Sequence, residues 1–457
     1  MDSREFSVEV MRKEIISAVL PVQEQWLAQS NLDLLLPPED VGVFFCYKKP
    51  TGSSFGSMVG LLKKAMAQVL VSYYAFAGEF VQNSVGELVL LCNNRGVDFL
   101  EAFADVELQH INLYNPDESI QGKLLPEKKE GVLSAQVTEL KCGGVVVACT
   151  FDHRVADAYS ANMFLVSWAE IAQSKPRLSV LPSFQRSLLS PRFPTCYDSS
   201  LNDMYVPISA LPPPPQLANS ASNDPIISRI YYAKADQLSS LQSLASSNGR
   251  KKTKLEAFSA LLWKTIASGE DASGKISKIG IVVDGRSRLG EGDDEKAKIM
   301  GAYFGNVLSI PFSEKRSGEL KERPLSWAAD AIHECLEKAA TKEHFQGLID
   351  WVEAHRPEPA LAKIYVGNGK EDDGPAVVVS SGQQFPVAKV DFGWGKPAFG
   401  SYHFPWDGEA GYVMPMPSPR GNGDWIVYMH ILKGQLELIE IQAAHLLRPL
   451  TCDYLNI

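Results

Sequence analysis

The sequence predicts an α/β protein of two layered domains joined by a long crossover. Three observations lead there. Short β-branched apolar runs alternate with stretches whose apolar residues recur at helical spacing, so strands and helices interleave along the whole chain. A length of 457 residues exceeds one ordinary hydrophobic core and suits two domains of about 200 residues each. Between the halves lies a stretch of weak periodicity and frequent proline, with LPPPP at 211–215, which reads as a linker. The expected organisation is a domain at 1–175, a crossover at 176–223 and a second domain at 224–457.

In the first half, residues 6–12 alternate as an opening strand, Ser30-Asn31-Leu32-Asp33 reads as a polar turn, and 41–47 is a strand with buried aromatics. Met58, Leu61, Leu62, Ala65, Val69 and Leu70 recur at helical spacing. Gly86-Glu87 turns into a strand at 88–92, and 98–125 shows no clear pattern. Strands at 132–140 and 144–151 flank a hairpin at Lys141-Cys142-Gly143, and a helix follows Asp157 to about Pro176.

The second half opens with a strand at 226–233 and a helix at 236–247. A basic turn at 249–254 enters a helix at 255–267, and a strand at 279–283 ends in Asp284-Gly285-Arg286. Residues 325–354 read as one or two helices. Late strands are expected at 376–380, 425–432 and 436–439, with a closing helix at 440–448. No GxGxxG opens a βαβ unit, so a doubly wound dinucleotide fold is not expected.

A net charge of −10 argues against a non-specific nucleic-acid binder. The seven cysteines, at 46, 92, 142, 149, 196, 335 and 452, lack C-x-x-C spacing and read as reduced core residues. The N-terminus carries charges and no apolar signal core, and no run of 18 apolar residues occurs. A cytoplasmic protein without a membrane span is expected, and the two-domain plan suggests a monomer.

The chemistry concentrates at FDHRVADAYS, 151–160. A dense β-branched run gives way within six residues to Asp152, His153, Arg154 and Asp157, and then to a helical pattern. A histidine at such a junction is held rigidly and can project into a cleft as a general base. Asp157, four residues on, reads either as the partner that orients His153 or as a buried counter-ion for a distant arginine. No H-E-x-x-H or G-x-S-x-G occurs, so neither a zinc site nor a hydrolase elbow is expected. In Asp391-Phe392-Gly393-Trp394-Gly395, two glycines around an indole read as a rigid wall beside a ligand or as a tight turn packed under aromatics.

The order HRVAD at 153–157, VDGRSR at 283–288, YFGN at 303–306 and DFGWG at 391–395 resembles the plant BAHD acyltransferases. SNLD at 30–33, YYAFAGE at 73–79 and LEAFSALLW at 255–263 extend the resemblance over nearly the whole chain. It implies two chloramphenicol-acetyltransferase-like domains with a substrate channel at their interface. It also implies transfer from an acyl-CoA cosubstrate to a small alcohol or amine, with no permanently bound cofactor and no metal.

Under the resemblance His153 deprotonates the acceptor, the indole of Trp394 stabilises the oxyanion, Asp157 pairs with Arg286, and Asp391 is structural. Lys251, Lys252, Thr253, Lys254 and Asn306 are implied cofactor contacts, the lysines alternatively being a solvated charge run. Relatives acting on shikimate or quinate carry an arginine seven positions before the DFGWG aspartate, whereas this chain has Gln384. That difference, with the N-terminal run and HRVADAYSANMF, brings the chain nearest to the coniferyl alcohol acyltransferase branch. An amine acceptor, another aromatic acyl transfer and a non-catalytic acyl-CoA-binding homologue remain the alternatives.

Overall fold

The computed structural model describes residues 5–457 apart from 22, 85, 212–223, 247–248, 270–271, 273, 367–371, 407 and 409; most of the LPPPP run thus falls outside the described residues. The β-branched run before His153 forms the strand Val145–Asp152, buried at every position. It pairs antiparallel with Leu133–Leu140 on one side and Asp40–Tyr47 on the other. With Val97–Ala104 and Val8–Ile16 outside Leu133–Leu140, these strands build most of a six-stranded sheet.

Its sixth strand, Phe399–His403, comes from the far half of the chain and pairs with Asp40–Tyr47. Division at residue 224 therefore does not partition the sheets: the C-terminal half contributes an edge to the N-terminal one. The second sheet has eight strands, with the order Leu308–Ser309, Ile276–Asp284, Asp373–Ser380, Gly411–Pro417, Trp425–Leu432, Ile226–Ala233, Arg448–Pro449, and with Phe312–Arg316 also on Ile276–Asp284.

Alternation along Ile276–Asp284 divides its side chains between two cores. Ile279 and Ile281 join an outer core beneath the helices Ala235–Ala245, Lys254–Ile266 and Leu325–Ala339. Val282 packs instead on a larger core that runs continuously from the first sheet into the second. The inner faces of both sheets thus meet, and the site lies between them.

Two late elements differ from expectation. Residues 436–439 belong to the helix Lys433–Gln442, because Leu436 and Ile439 are buried three apart on one helical face. The closing helix expected at 440–448 therefore ends at Gln442, and Arg448–Pro449 is a strand instead. Gly411–Pro417 is a strand despite Pro415 and Pro417. Its parallel pairing stops at Val413, so the prolines lie where one edge needs no N–H donor.

Candidate active site

The strand register that fixes Asp152 opposite Asp40 continues one residue further: the His153 N–H donates to the Glu39 carbonyl at 2.9 Å. Four residues later Asp157 caps the helix Ala158–Ala172, accepting from the Ser160 N–H at 2.9 Å. His153 is thus clamped between a central strand and a capped helix.

The imidazole lines a cavity of about 240 Å³ between the sheets. Phe404 meets it edge-on with ring centroids 5.8 Å apart, and Tyr402, Trp406, Tyr365 and Tyr412 supply further aromatic wall. Burial pulls the His153 pKa below its ordinary value, against the raising pull of its own carbonyl, Asp157, Asp152 and Asn306. A base is consequently held neutral at neutral pH.

Asp157 is turned away from this role. Arg286 grips it with two donors, Nη1 to Oδ2 at 2.8 Å and Nη2 to Oδ1 at 3.1 Å, and the Val307 N–H adds a third at 3.2 Å. Both side chains are almost fully buried. Of the two sequence readings, the geometry is that of the buried counter-ion.

Asn306 does not meet the solvent-facing role implied for a cofactor contact. It is fully buried, and its amide donates to the carbonyls of His153 at 3.0 Å and Arg154 at 3.3 Å and to Asp33 Oδ1 at 3.0 Å. Its remaining oxygen and His153 Nδ1 are each buried with no hydrogen-bond partner, and the neighbouring Asn306 side chain raises the imidazole pKa. By elimination His153 Nε2 is left for the cavity. Asp33, in turn, is held by Ser30 and receives the Asn306 N–H at 2.8 Å, so SNLD and YFGN together brace the turn that carries His153.

Trp394 is in the wrong place for an oxyanion donor. Its ring lies 6.1 Å from that of Tyr47, which pairs with Val145 at the opposite end of the strand from Asp152, roughly 23 Å away at strand rise. A second ruler agrees. Gln173, just past the helix whose cap is Asp157, donates to the Asp391 carbonyl, roughly 24 Å along at helical rise. Both readings of DFGWG resolve to the tight turn: Asp391 Oδ1 accepts from the N–H groups of Gly393 at 2.8 Å and Gly395 at 3.0 Å. Those glycines adopt φ of 105° and 110°, which side-chain-bearing residues rarely tolerate.

The basic turn also divides. Lys252 is fully buried and faces Asp330 at 2.7 Å, so it is unavailable to a ligand in solvent. Thr253 caps the helix Lys254–Ile266 in a capping box with Glu256. Lys251 is exposed and Lys254 half-buried. No cluster of metal-ligating side chains occurs among the described residues.

Gln384 lines the His153 cavity, and none of the described lining residues is lysine or arginine. The aromatic wall and Asp284, which also lines the cavity, escaped the sequence reading. The available signal was the cluster of aromatic residues at Tyr402, Phe404, Trp406 and Tyr412 along a stretch with strand character, where a buried tyrosine hydroxyl needs a partner.

Residues 6–446 match the model of the Transferase family. Shikimate O-hydroxycinnamoyltransferase of Nicotiana tabacum is 26% identical over 451 residues, covering 95% of this chain and 98% of the relative. Putrescine hydroxycinnamoyltransferase 3 of Oryza sativa subsp. japonica is 26% identical over 430 residues, covering 90% and 92%. TRI101 of F. graminearum, solved with coenzyme A and T-2 mycotoxin, superposes with a TM-score of 0.72 at 13% identity, covering 93% of this chain and 99% of that one. The chain belongs to the Transferase family and is an acyl-CoA-dependent acyltransferase of the BAHD type.

Proposed function

We propose that this enzyme moves an acyl group from an acyl-CoA thioester to the hydroxyl of a neutral phenylpropanoid-type alcohol such as coniferyl alcohol. The carrying observation is the cavity: His153 opens into an aromatic chamber with Gln384 in its wall and no cationic side chain among its described lining residues. A carboxylated acceptor would enter without a bidentate partner, at a desolvation cost that nothing there offsets. An uncharged aromatic alcohol meets ring faces instead.

His153 Nε2 takes the hydroxyl proton as the oxygen attacks the thioester carbonyl. The tetrahedral intermediate expels the CoA thiolate, and the imidazolium returns the proton to sulfur. Buried Asp157 and Arg286 hold the turn without entering the reaction. Exposed Lys251, with Lys254, is suited to the phosphates of CoA, and Thr253 fixes their turn by capping the helix.

The same base would serve an amine acceptor, so aromatic amines belong in the test. Catalysis by a single chain in the cytoplasm fits a site built within one chain and seven free thiols. No described helix is long and apolar enough to cross a membrane.

The test is a mass-resolved assay of acyl-CoA donors against coniferyl alcohol, shikimate, quinate and aromatic amines. Ester formation on the neutral alcohol, with Q384R gaining activity toward shikimate, is expected. Preference of the unmodified enzyme for shikimate, quinate or an amine would overturn the acceptor assignment.

A further inference from the structure

The ion cluster behind His153 has one member that reaches the cavity. Arg286 lies between two carboxylates, Asp157 with a side-chain exposure of 1% and Asp284 with 39%. Strand alternation turns Asp284 to the same inner face as Val282, and both line the cavity with His153. Arg286 satisfies Asp284 only in part: its N–H donates to Oδ1 at 2.8 Å and its Nη1 to Oδ2 at 3.2 Å. Each carboxylate oxygen has a second lone-pair direction. The acid is therefore the one carboxylate acceptor among the described lining residues, beside the neutral side chains of Asn162, Ser380, Ser381 and Gln384.

Its place in the fold says which substrate it meets. The Trp263 indole donates to Ser277 Oγ at 3.1 Å, pinning the last turns of the helix Lys254–Ile266 to the first residues of the strand Ile276–Asp284. Helix and strand run in opposite directions from that point, so the helix start, with Lys251 and Lys254, lies at the same end as Asp284. An acyl-CoA whose phosphates rest on that basic turn must run its pantetheine arm past the end of this strand to bring its sulfur to His153. The arm carries amide N–H groups that need acceptors when desolvated.

We infer that Asp284 is a donor-substrate binding residue whose carboxylate accepts a hydrogen bond from a pantetheine amide of the acyl-CoA. This rests on acyl-CoA as the donor and on the basic turn as its phosphate anchor, and not on the identity of the acceptor. Charge-assisted acceptance favours the carboxylate over a neutral carbonyl there.

Binding of two probes, followed by calorimetry, tests the assignment. Coenzyme A carries the arm, and adenosine 3′,5′-bisphosphate carries phosphates without it. D284A is expected to weaken coenzyme A by about tenfold or more and to leave the bisphosphate unchanged. D284N, which keeps a neutral acceptor, is expected to lose less, and the acceptor KM to stay constant in both variants. Thermal melting checks that Arg286 remains held by Asp157. Unchanged coenzyme A affinity in D284A, equal loss of both probes, or a rise confined to the acceptor KM would each sink the assignment. Failure of the unmodified enzyme to bind either probe would instead bring down the acyl-CoA reading on which it stands.

Discussion

The two ends of the helix Ala158–Ala172 carry the two most conspicuous motifs of the chain, and they do different work. At its start, HRVAD offers the cavity a half-buried imidazole whose pKa burial depresses. At its end, DFGWG folds its own aspartate back onto two glycine N–H groups and packs Phe392 on Trp168 at 4.9 Å. One end is open toward substrate and the other is closed on itself. Motif density in a sequence does not measure proximity to the reaction; the direction of unsatisfied polar groups does.

The sharpest break in this comparison is H153A, expected to lower kcat/KM by about 10²–10⁴-fold with an unchanged melting curve. Retention of most activity would remove the base. In the unmodified enzyme the rate should fall as pH drops through the His153 pKa, with a midpoint below the usual 6.5 or so. Stability has the same sign. The folded state resists protonating this imidazole, so the unfolded chain takes up the proton first, and the histidine's contribution is lost as pH falls below its unfolded pKa. A kcat/KM profile and denaturant melts across that range would check both.

R286A attacks the frame rather than the base. It leaves Asp157 buried and uncompensated, which costs about 3–5 kcal/mol and should appear in denaturation before any kinetic step is isolated. A variant as stable as the parent would contradict the counter-ion role. N306A is milder, removing donors from the His153 and Arg154 carbonyls for about 1–3 kcal/mol. It should lower kcat more than either KM, because the imidazole loses its alignment while the cavity keeps its walls.

The smallest effect belongs to the other end of the helix. W394F removes an indole N–H that has no partner and retains an aromatic ring against Tyr47. Stability should change by about 1 kcal/mol and kcat/KM by less than about threefold, which is below 1 kcal/mol. A loss of 10²-fold, the scale of a missing oxyanion donor, would restore the role that the geometry denies.

Much of the scaffold was legible because its signals are local. The run at 145–152 is buried at every position and β-branched, and 226–233 and 425–432 are strands with the expected limits. What the sequence did not show was set by distant pairing or by an ambiguous short window. Phe399–His403 is five residues long, and its pairing with Asp40–Tyr47 spans most of the chain. Leu436 and Leu438 fit strand alternation while Leu436 and Ile439 fit the helical period, and the burial of Leu436 and Ile439 on one helical face decides.

The sequence by itself carried the family resemblance, and through it the expectation of His153 as base and of the Asp157–Arg286 pair, because the motifs stand in the family's order over nearly the whole chain. Tertiary structure decided what faces the reaction. It moved Trp394 roughly a helix length from His153, sealed Lys252 against Asp330, turned Asn306 into a brace and brought Gln384 and Asp284 into the cavity wall. Residue order specifies which groups exist, but helix and strand rise set the distances between them. Whether a polar atom is satisfied or left open to substrate depends on partners more than a hundred residues away.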